Sequence, residues 1–261
     1  MKTILFFLPI LALGKSSLSA EDIMAKNEAA RRVTSMDAKA KLVTKGDNGE
    51  KSKDFQWWRE LTGDQVHYNT LTRFKTPVEV RGEGILFREK NGGDTDVQMY
   101  LPAFKKIRRV ESQQQSGSFM GSEFSYSDIA APKTSDYVYK LLKQEPCPNA
   151  SGVQCYVVES TPASETIKDS TGTSKSVKWI RADNFMDTQG EYFNEKGELW
   201  KRMQATDIKK VDPKNNKWLA YRINMQNVKN GRSTLLEFSD VKVNKGIADS
   251  TFSDQNLSRE N

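Results

Sequence analysis

The chain has one histidine, His67 in QVHYNTL, and two cysteines, Cys147 and Cys155 in CPNASGVQC. Chemistry built on imidazole or thiolate therefore has few places to reside. A transition-metal site needs several nitrogen or sulfur ligands at set spacing, and one imidazole in an alternating, strand-like segment does not supply them. A histidine-dependent hydrolase would have to use His67 itself, and no G-x-S-x-G elbow, phosphate-binding loop or dinucleotide fingerprint accompanies it. Carboxylates are plentiful, 34 in all. Glu79, Glu83, Asp94, Asp96, Glu123 and Asp128 include candidates for the facing acidic pair that glycosidases use, but at this density some acids meet by chance. NGGDTDVQ, residues 91–98, offers oxygens from Asn91, Asp94 and Asp96. It lacks the length and final glutamate of a calcium loop and reads as a hairpin turn. The expectation is a protein that is not an enzyme and holds no metal or cofactor.

The two cysteines take their meaning from the start of the chain. MKTILFFLPILALGKSSLSA has a lysine, an apolar run from Ile4 to Leu13 and a small polar stretch ending at Ala20. That run is too short to span a membrane as a helix and suits a secretory signal peptide cleaved after Ala20. Residues 21–261 are then expected as a single exported domain with no integral membrane segment after cleavage. In an oxidising compartment a Cys147–Cys155 disulfide is the default, clipping a short Pro/Asn/Gly loop. The net charge of +6 falls to about +4 when Lys2 and Lys15 leave with the signal. After export the anions within reach are lipid head groups and envelope polymers, so no nucleic-acid partner is expected.

The elements that must position any site are mostly strands. EDIMAKNEAARRV (21–33) reads as a short helix opened by acids and closed by arginines. Alternating segments then recur at hairpin spacing, from 38–44 and KDFQWWRE to NKWLAYRINMQNV and RSTLLEFSDVKV, joined by turns such as KGDNGE, NEKGE and KNG. About ten or eleven strands fit one antiparallel sheet curled so that alternate side chains line its inside. Residues 130–145, AAPKTSDYVYKLLKQE, read as a loop leading into a short helix that carries Tyr137, Val138, Leu141 and Leu142 inward. Phe252 and Leu257 of the tail are placed to tuck onto the barrel. SGSFMGSEFSYSDI (116–129) departs from the alternation: Gly117 and Gly121 flank large apolar groups at Phe119, Met120, Phe124 and Tyr126. The segment is either a movable lid over the mouth of the curled sheet or a fixed loop completing its core.

YLPAFKKIRRVESQQQSGSFMGSEFSYSDI, residues 100–129, resembles the hallmark stretch of the outer-membrane lipoprotein-sorting proteins of the LolA-like superfamily. The likeness rests on Tyr100, Leu101 and Pro102, on the basic run Lys105, Lys106, Arg108 and Arg109, and on Gly117–Phe124 with Ser125, Tyr126 and Asp128. Weaker likenesses extend over the mature chain, from EDIM to FSDQNL. The resemblance implies a mainly β fold, a half-open antiparallel β-barrel wrapped around short helices. It implies a periplasmic, non-enzymatic carrier whose apolar cavity binds the acyl chains of lipids or lipoproteins for transfer across the envelope. The archetypal carrier's cavity arginine has no counterpart on a matching motif. An accessory role beside an RND-type lipid exporter is the alternative within the same mechanism, with an inner-membrane transporter of RND or ABC type as partner. A structural or protein-interaction module of the envelope, with a filled interior, is the rival class. Under the carrier reading, Met99, Leu101, Phe104, Phe119, Met120 and Phe124 are expected to line or close the lipid site, and Lys105, Lys106, Arg108 and Arg109 to meet a head group or a partner.

Overall fold

Alternation of buried and exposed residues runs through nearly every long segment of the chain, and it resolves into one sheet. A computed structural model describes residues 18–47, 49–90, 95–130 and 133–259. The signal expected at 1–20 lies outside them up to residue 17, as do Asn91 and Asp94. The first six strands are β1 (Ser35–Gly46), β2 (Gly49–Leu61), β3 (Tyr68–Thr76), β4 (Gly84–Arg88), β5 (Asp96–Leu101) and β6 (Lys106–Val110). The other seven are β7 (Tyr137–Pro146), β8 (Gln154–Pro162), β9 (Lys175–Arg181), β10 (Asp187–Phe193), β11 (Leu199–Asp212), β12 (Lys217–Asn227) and β13 (Ser233–Val243). Strands consecutive in sequence pair antiparallel, with one exception: β6 and β7 do not meet and form the two free edges. The long-range joint is β1 with β13, where Met36 faces Val243 and Lys45 faces Ser233. The sheet is a half-open barrel whose gap lies between β6 and β7.

The inner face of β1 carries Met36, Ala38, Ala40 and Leu42, all buried, while Lys39 and Lys41 between them are exposed. The same period places Phe55 and Trp57 of β2, Met203 and Ala205 of β11 and Leu236 and Phe238 of β13 in one apolar cluster. The turns are local: Gly231, at φ 71°, lets the β12–β13 connection close with its amide donating to the Asn227 carbonyl at 2.9 Å, a left-handed conformation that glycine adopts without steric cost.

Three strands exceed the expected pattern. β6 is five residues of mostly cationic sequence, β10 contains Gly190, and β7 corrects the reading of 130–145 as a loop and helix. YVYKLL is apolar on both faces, so its spacing imitates a helix. In the structure Tyr137, Tyr139 and Leu141 point inward, while Val138 and Leu142 lie on the outer face, 63% and 42% exposed, at the edge of the sheet.

Helices close what the sheet leaves open. α1 (Ala20–Arg31) begins with a reciprocal cap, the Asp22 amide donating to Ser19 Oγ at 3.0 Å and the Ser19 amide to Asp22 Oδ2 at 3.1 Å. This pattern satisfies two amides the helix itself leaves unpaired. Its Ile23 and Met24 pack on Val158 and Ile180. On the outer face of β3–β5 the tail docks Phe252 and Leu257 against Leu71, Leu86 and Tyr100. Arg73, 3% exposed, fastens it by donating to the carbonyls of Asn256 at 2.6 Å, Leu257 at 2.8 Å and Gly82 at 3.1 Å. Cys147 and Cys155 are disulfide-bonded and close the turn that feeds β8.

Candidate functional site

The gap between β6 and β7 is bridged by the chain that connects them. Residues 111–130, which include α2 (Tyr126–Ala130), leave the β6 edge for the inside of the curled sheet, and residues 133–136 lead into β7 at the other edge. Their sequence is rich in glycine and serine because the path is tightly folded. Met120 and Gly121 are both left-handed, at φ 54° and 74°, and the turn they make is closed by Phe119 N donating to the Phe124 carbonyl at 2.7 Å and Ser118 Oγ donating to the Ser122 carbonyl at 2.6 Å. Ser125 and Asp128 cap α2 reciprocally, with backbone-to-side-chain hydrogen bonds of 2.8 and 3.1 Å. The segment is tied to the sheet at Thr234, whose Oγ1 accepts from Glu123 N at 3.0 Å, and by ion pairs Arg232–Glu123 at 3.2 Å and Lys201–Asp128 at 3.1 Å.

Phe119 is fully buried at the centre of this arrangement. Its ring centroid lies 6.4 Å from Phe55, 6.0 Å from Phe74, 6.3 Å from Phe87 and 5.7 Å, edge-on, from Tyr126. Burial pushes the Tyr126 hydroxyl up to about 12. The segment thus fills the half of the barrel formed by β1–β6, and the open choice between lid and core resolves as packed core.

The other half is not filled. A cavity of about 290 Å³ lies beside α2, enclosed mainly by β7–β13 and by the adjoining inner faces of β1 and β2. One wall is apolar: Met36, Trp57, Phe124, Met203, Met225, Leu236 and Phe238. The opposite end is polar and comes from α1 and β7–β10, with Arg31, Tyr137, Tyr139, Ser160, Ser176, Lys178, Asp187 and Tyr192. Burial raises the hydroxyls of Tyr137, Tyr139 and Tyr192 above the ordinary tyrosine range and lowers Lys178 below the ordinary lysine range, the latter opposed by Asp187. Among the described residues, Trp57 Nε1, Arg59 Nε, Ser160 Oγ and Asp187 Oδ1 are buried without a hydrogen-bond partner, and all four belong to side chains that line this cavity. Unpaired buried polar atoms are rare and costly, and four of the seven such side-chain atoms among the described residues lie around this one space.

The residues singled out from the sequence distribute unevenly. Phe124 lines the cavity, whereas Phe119 and Met120 belong to the packed segment, and Met99 faces the main core from β5. Leu101 and Phe104 lie at the β5–β6 connection, where Phe104 is 69% exposed. Lys105, Lys106, Arg108 and Arg109 are exposed on or beside the β6 edge, with Arg109 paired to Asp96 at 3.4 Å. His67 sits in the turn before β3 rather than within a strand. Its Nδ1 is bonded to the carboxylate of Asp64, whose other oxygen accepts the amides of Val66 and His67 at 2.9 and 3.0 Å, so the pair locks a turn. No group of three or more metal-ligating side chains converges among the described residues. The polar end went unnoticed in the sequence. Its signal was the phase of SKSVKWIR, which sets Ser176 and Lys178 on the same face as buried Ile180.

An antiparallel sheet curled into a half-open barrel around internal segments is the LolA-like fold. A family model described as "Uncharacterized protein" matches residues 67–259, and the chain belongs to that family. Its structure is similar to that of a proposed outer membrane lipoprotein-sorting protein domain from Vibrio parahaemolyticus, with 26% identity, TM-score 0.84 and coverage of 92% of this chain and 98% of the other. A DUF1329 family protein from Desulfovibrio piger shares the fold at 24% identity and TM-score 0.84, over 91% and 97% of the two chains. A LolA superfamily protein from Nitrosomonas europaea does so at 22% identity and TM-score 0.71, over 92% and 100%. Among curated proteins, none matches the sequence. No helix among the described residues is long and apolar enough to cross a membrane.

Proposed function

We propose that the cavity beside α2 shelters the acyl chains of a lipid or lipoprotein while it crosses the envelope. The observation that carries this reading is an apolar-walled space of about 290 Å³ kept open next to a densely packed core. Each methylene leaving water gains about 0.8 kcal/mol, so roughly ten of them contribute ~8 kcal/mol before the costs of association. That is enough to hold a cargo and little enough to release it. The test is to purify residues 21–261 without detergent and examine them by native mass spectrometry with lipid extraction. An acyl-bearing species in stoichiometric amount is expected. Ala205→Trp, which places an indole in the cavity wall, should lower uptake of a fluorescent fatty acid at least tenfold while the far-UV circular dichroism remains that of the parent. Equal uptake by parent and variant would move the cargo elsewhere.

We place the contact with the membrane, where an inner-membrane transporter of RND or ABC type gives or takes the cargo, at the β5–β6 hairpin. Its exposed Phe104 stands beside Lys105, Lys106 and Arg108, an apolar anchor among cations suited to an anionic lipid surface. Phe104→Ser is expected to leave loading intact and to reduce co-sedimentation with phosphatidylglycerol vesicles several-fold. Unchanged sedimentation would exclude this hairpin.

A further inference from the structure

The charges at the polar end of the cavity do not cancel. Of the charged side chains that line it, Arg31 Nε stands 4.0 Å from Asp187 Oδ2, Arg59 is paired with Glu89, and Asp128 is paired with Lys201 outside the lining at 3.1 Å, while Lys133 and Lys178 add two further cations. Lys178 projects from the middle of β9, opposite Val158 of β8 on one side and Gly190 of β10 on the other. Among the described residues its ammonium makes no ion pair or hydrogen bond, and the part of its surface that remains accessible lines the cavity. A lysine in mid-strand, flanked by neighbours on both sides, is poorly placed to carry its charge out to bulk water, as one at an element's end does. Gly190 leaves room beside it: a Cβ there would lie 3.2–3.4 Å from the Tyr192 ring and hydroxyl, so the bare backbone is what lets that ring lie in the wall. Ser160 and Ser176 face each other in register on the same wall, and Ser160 Oγ is one of the unpartnered atoms.

We propose that Lys178 is the docking point for a single negative charge on the head of the bound amphiphile, a carboxylate or a phosphodiester, with Ser160 completing the contact. This rests on the reading of the cavity as an acyl site. The tail then runs toward Trp57, Met225, Leu236 and Phe238 on the apolar wall. Asp187, Arg31 and Asp128 all act on Lys178 electrostatically, and because each aspartate already has a cation beside it, Lys178 leaves one positive charge uncompensated, which matches one negative charge rather than two. Burial disfavours the Lys178 ammonium in the empty protein, and an incoming anion removes that penalty. Charged occupancy is thereby coupled to the head group rather than to the tail.

The experiment compares dodecanoate, 1-lauroyl-lysophosphatidylglycerol and dodecanol by competition with a fluorescent fatty acid at pH 7.5, for the parent chain, Lys178→Met, Lys178→Arg and Ala205→Trp. The parent is expected to bind one or both anions at least tenfold more tightly than dodecanol. The stronger of the two identifies whether a free carboxylate or a lipid phosphodiester is the natural head. Lys178→Met should lose that preference while holding dodecanol as before, and Lys178→Arg should restore part of it. A parent that binds anion and alcohol alike, or a Lys178→Met variant that keeps the preference, overturns the head-group assignment and leaves the acyl cavity standing. A parent that binds none of the three, or binding that Ala205→Trp does not weaken, overturns the cavity itself.

Discussion

Replacing Phe119 by alanine is expected to destabilise the protein by about 3–5 kcal/mol, the range for emptying a buried aromatic site. The ring is fully buried and touches Phe55, Phe74, Phe87 and Tyr126. It therefore joins three strands and α2 through one side chain, and aromatic pairs of this geometry add to simple area burial. The surrounding turn has little freedom to collapse into the space, since the Phe119–Phe124 and Ser118–Ser122 hydrogen bonds and the Arg232–Glu123 pair hold it. Urea unfolding followed by tryptophan fluorescence measures the effect. A midpoint unchanged from the parent, combined with weakened lipid uptake, would show instead that this residue closes the cavity without supporting the fold. Met120, half-buried next to it, is the comparison: its loss should move the midpoint far less.

The second large effect is expected at Arg59. Its guanidinium reaches the Glu89 carboxylate at 3.0 Å and the Ala130 carbonyl at 3.3 Å, and lies 4.2 Å from the centre of the Tyr68 ring. One side chain thus ties β2, the end of β4 and the bridging segment. Glu89, whose side chain is 4% exposed, also accepts the Tyr68 amide at 3.0 Å. Arg59→Met would leave that carboxylate buried without its cation, a change that typically costs about 3–5 kcal/mol. Burial raises the Glu89 carboxyl above its ordinary range, and Arg59 opposes the rise. The folded state keeps the proton to a higher pH than the unfolded chain does, so stability falls as pH climbs from the unfolded carboxyl's pKa through the raised folded one. Without Arg59 the folded pKa moves further up and the window widens. The variant should approach the parent's stability near pH 4 and fall away toward pH 8, as read from thermal melts across that range. The double variant Arg59→Met/Glu89→Leu should recover most of the loss and flatten the profile. A variant equally destabilised at both ends of the range would mean that packing on Tyr68, not charge, is what Arg59 supplies.

The parts of this protein that strict alternation encodes were legible in the sequence. Ala38, Ala40 and Leu42 between lysines could belong only to a half-buried strand, and the same pattern recurs often enough to require a curled sheet. β7 is hidden in the sequence because Tyr137, Val138, Leu141 and Leu142 are apolar on both faces, a spacing that also suits an interior helix, and an edge strand beside the gap tolerates the exposed Val138 and Leu142. The aromatic cluster at 119–126 stands out in the sequence, but glycine flexibility does not distinguish a hinge from a tight turn. Only the contacts of Phe119 do. Lys178 illustrates the opposite difficulty. A lysine alternating with serine and valine reads as a solvated face, and its interior position depends on which side of β9 the sheet curls toward, a fact held by strands far away in sequence.

The pairing of β1 with β13 also has a kinetic meaning. During synthesis β1 to β6 pair by local hairpins as each emerges, whereas the second edge of β1 waits for the last strand of the chain. Through most of that interval the nascent protein presents a long row of unpaired backbone donors and acceptors, a template for any other extended chain. Lys39, Lys41 and Lys45 stand along that row on its solvent side and discourage such encounters by charge. An edge left unpaired until the last strand arrives is open to other extended chains for as long as the barrel is incomplete.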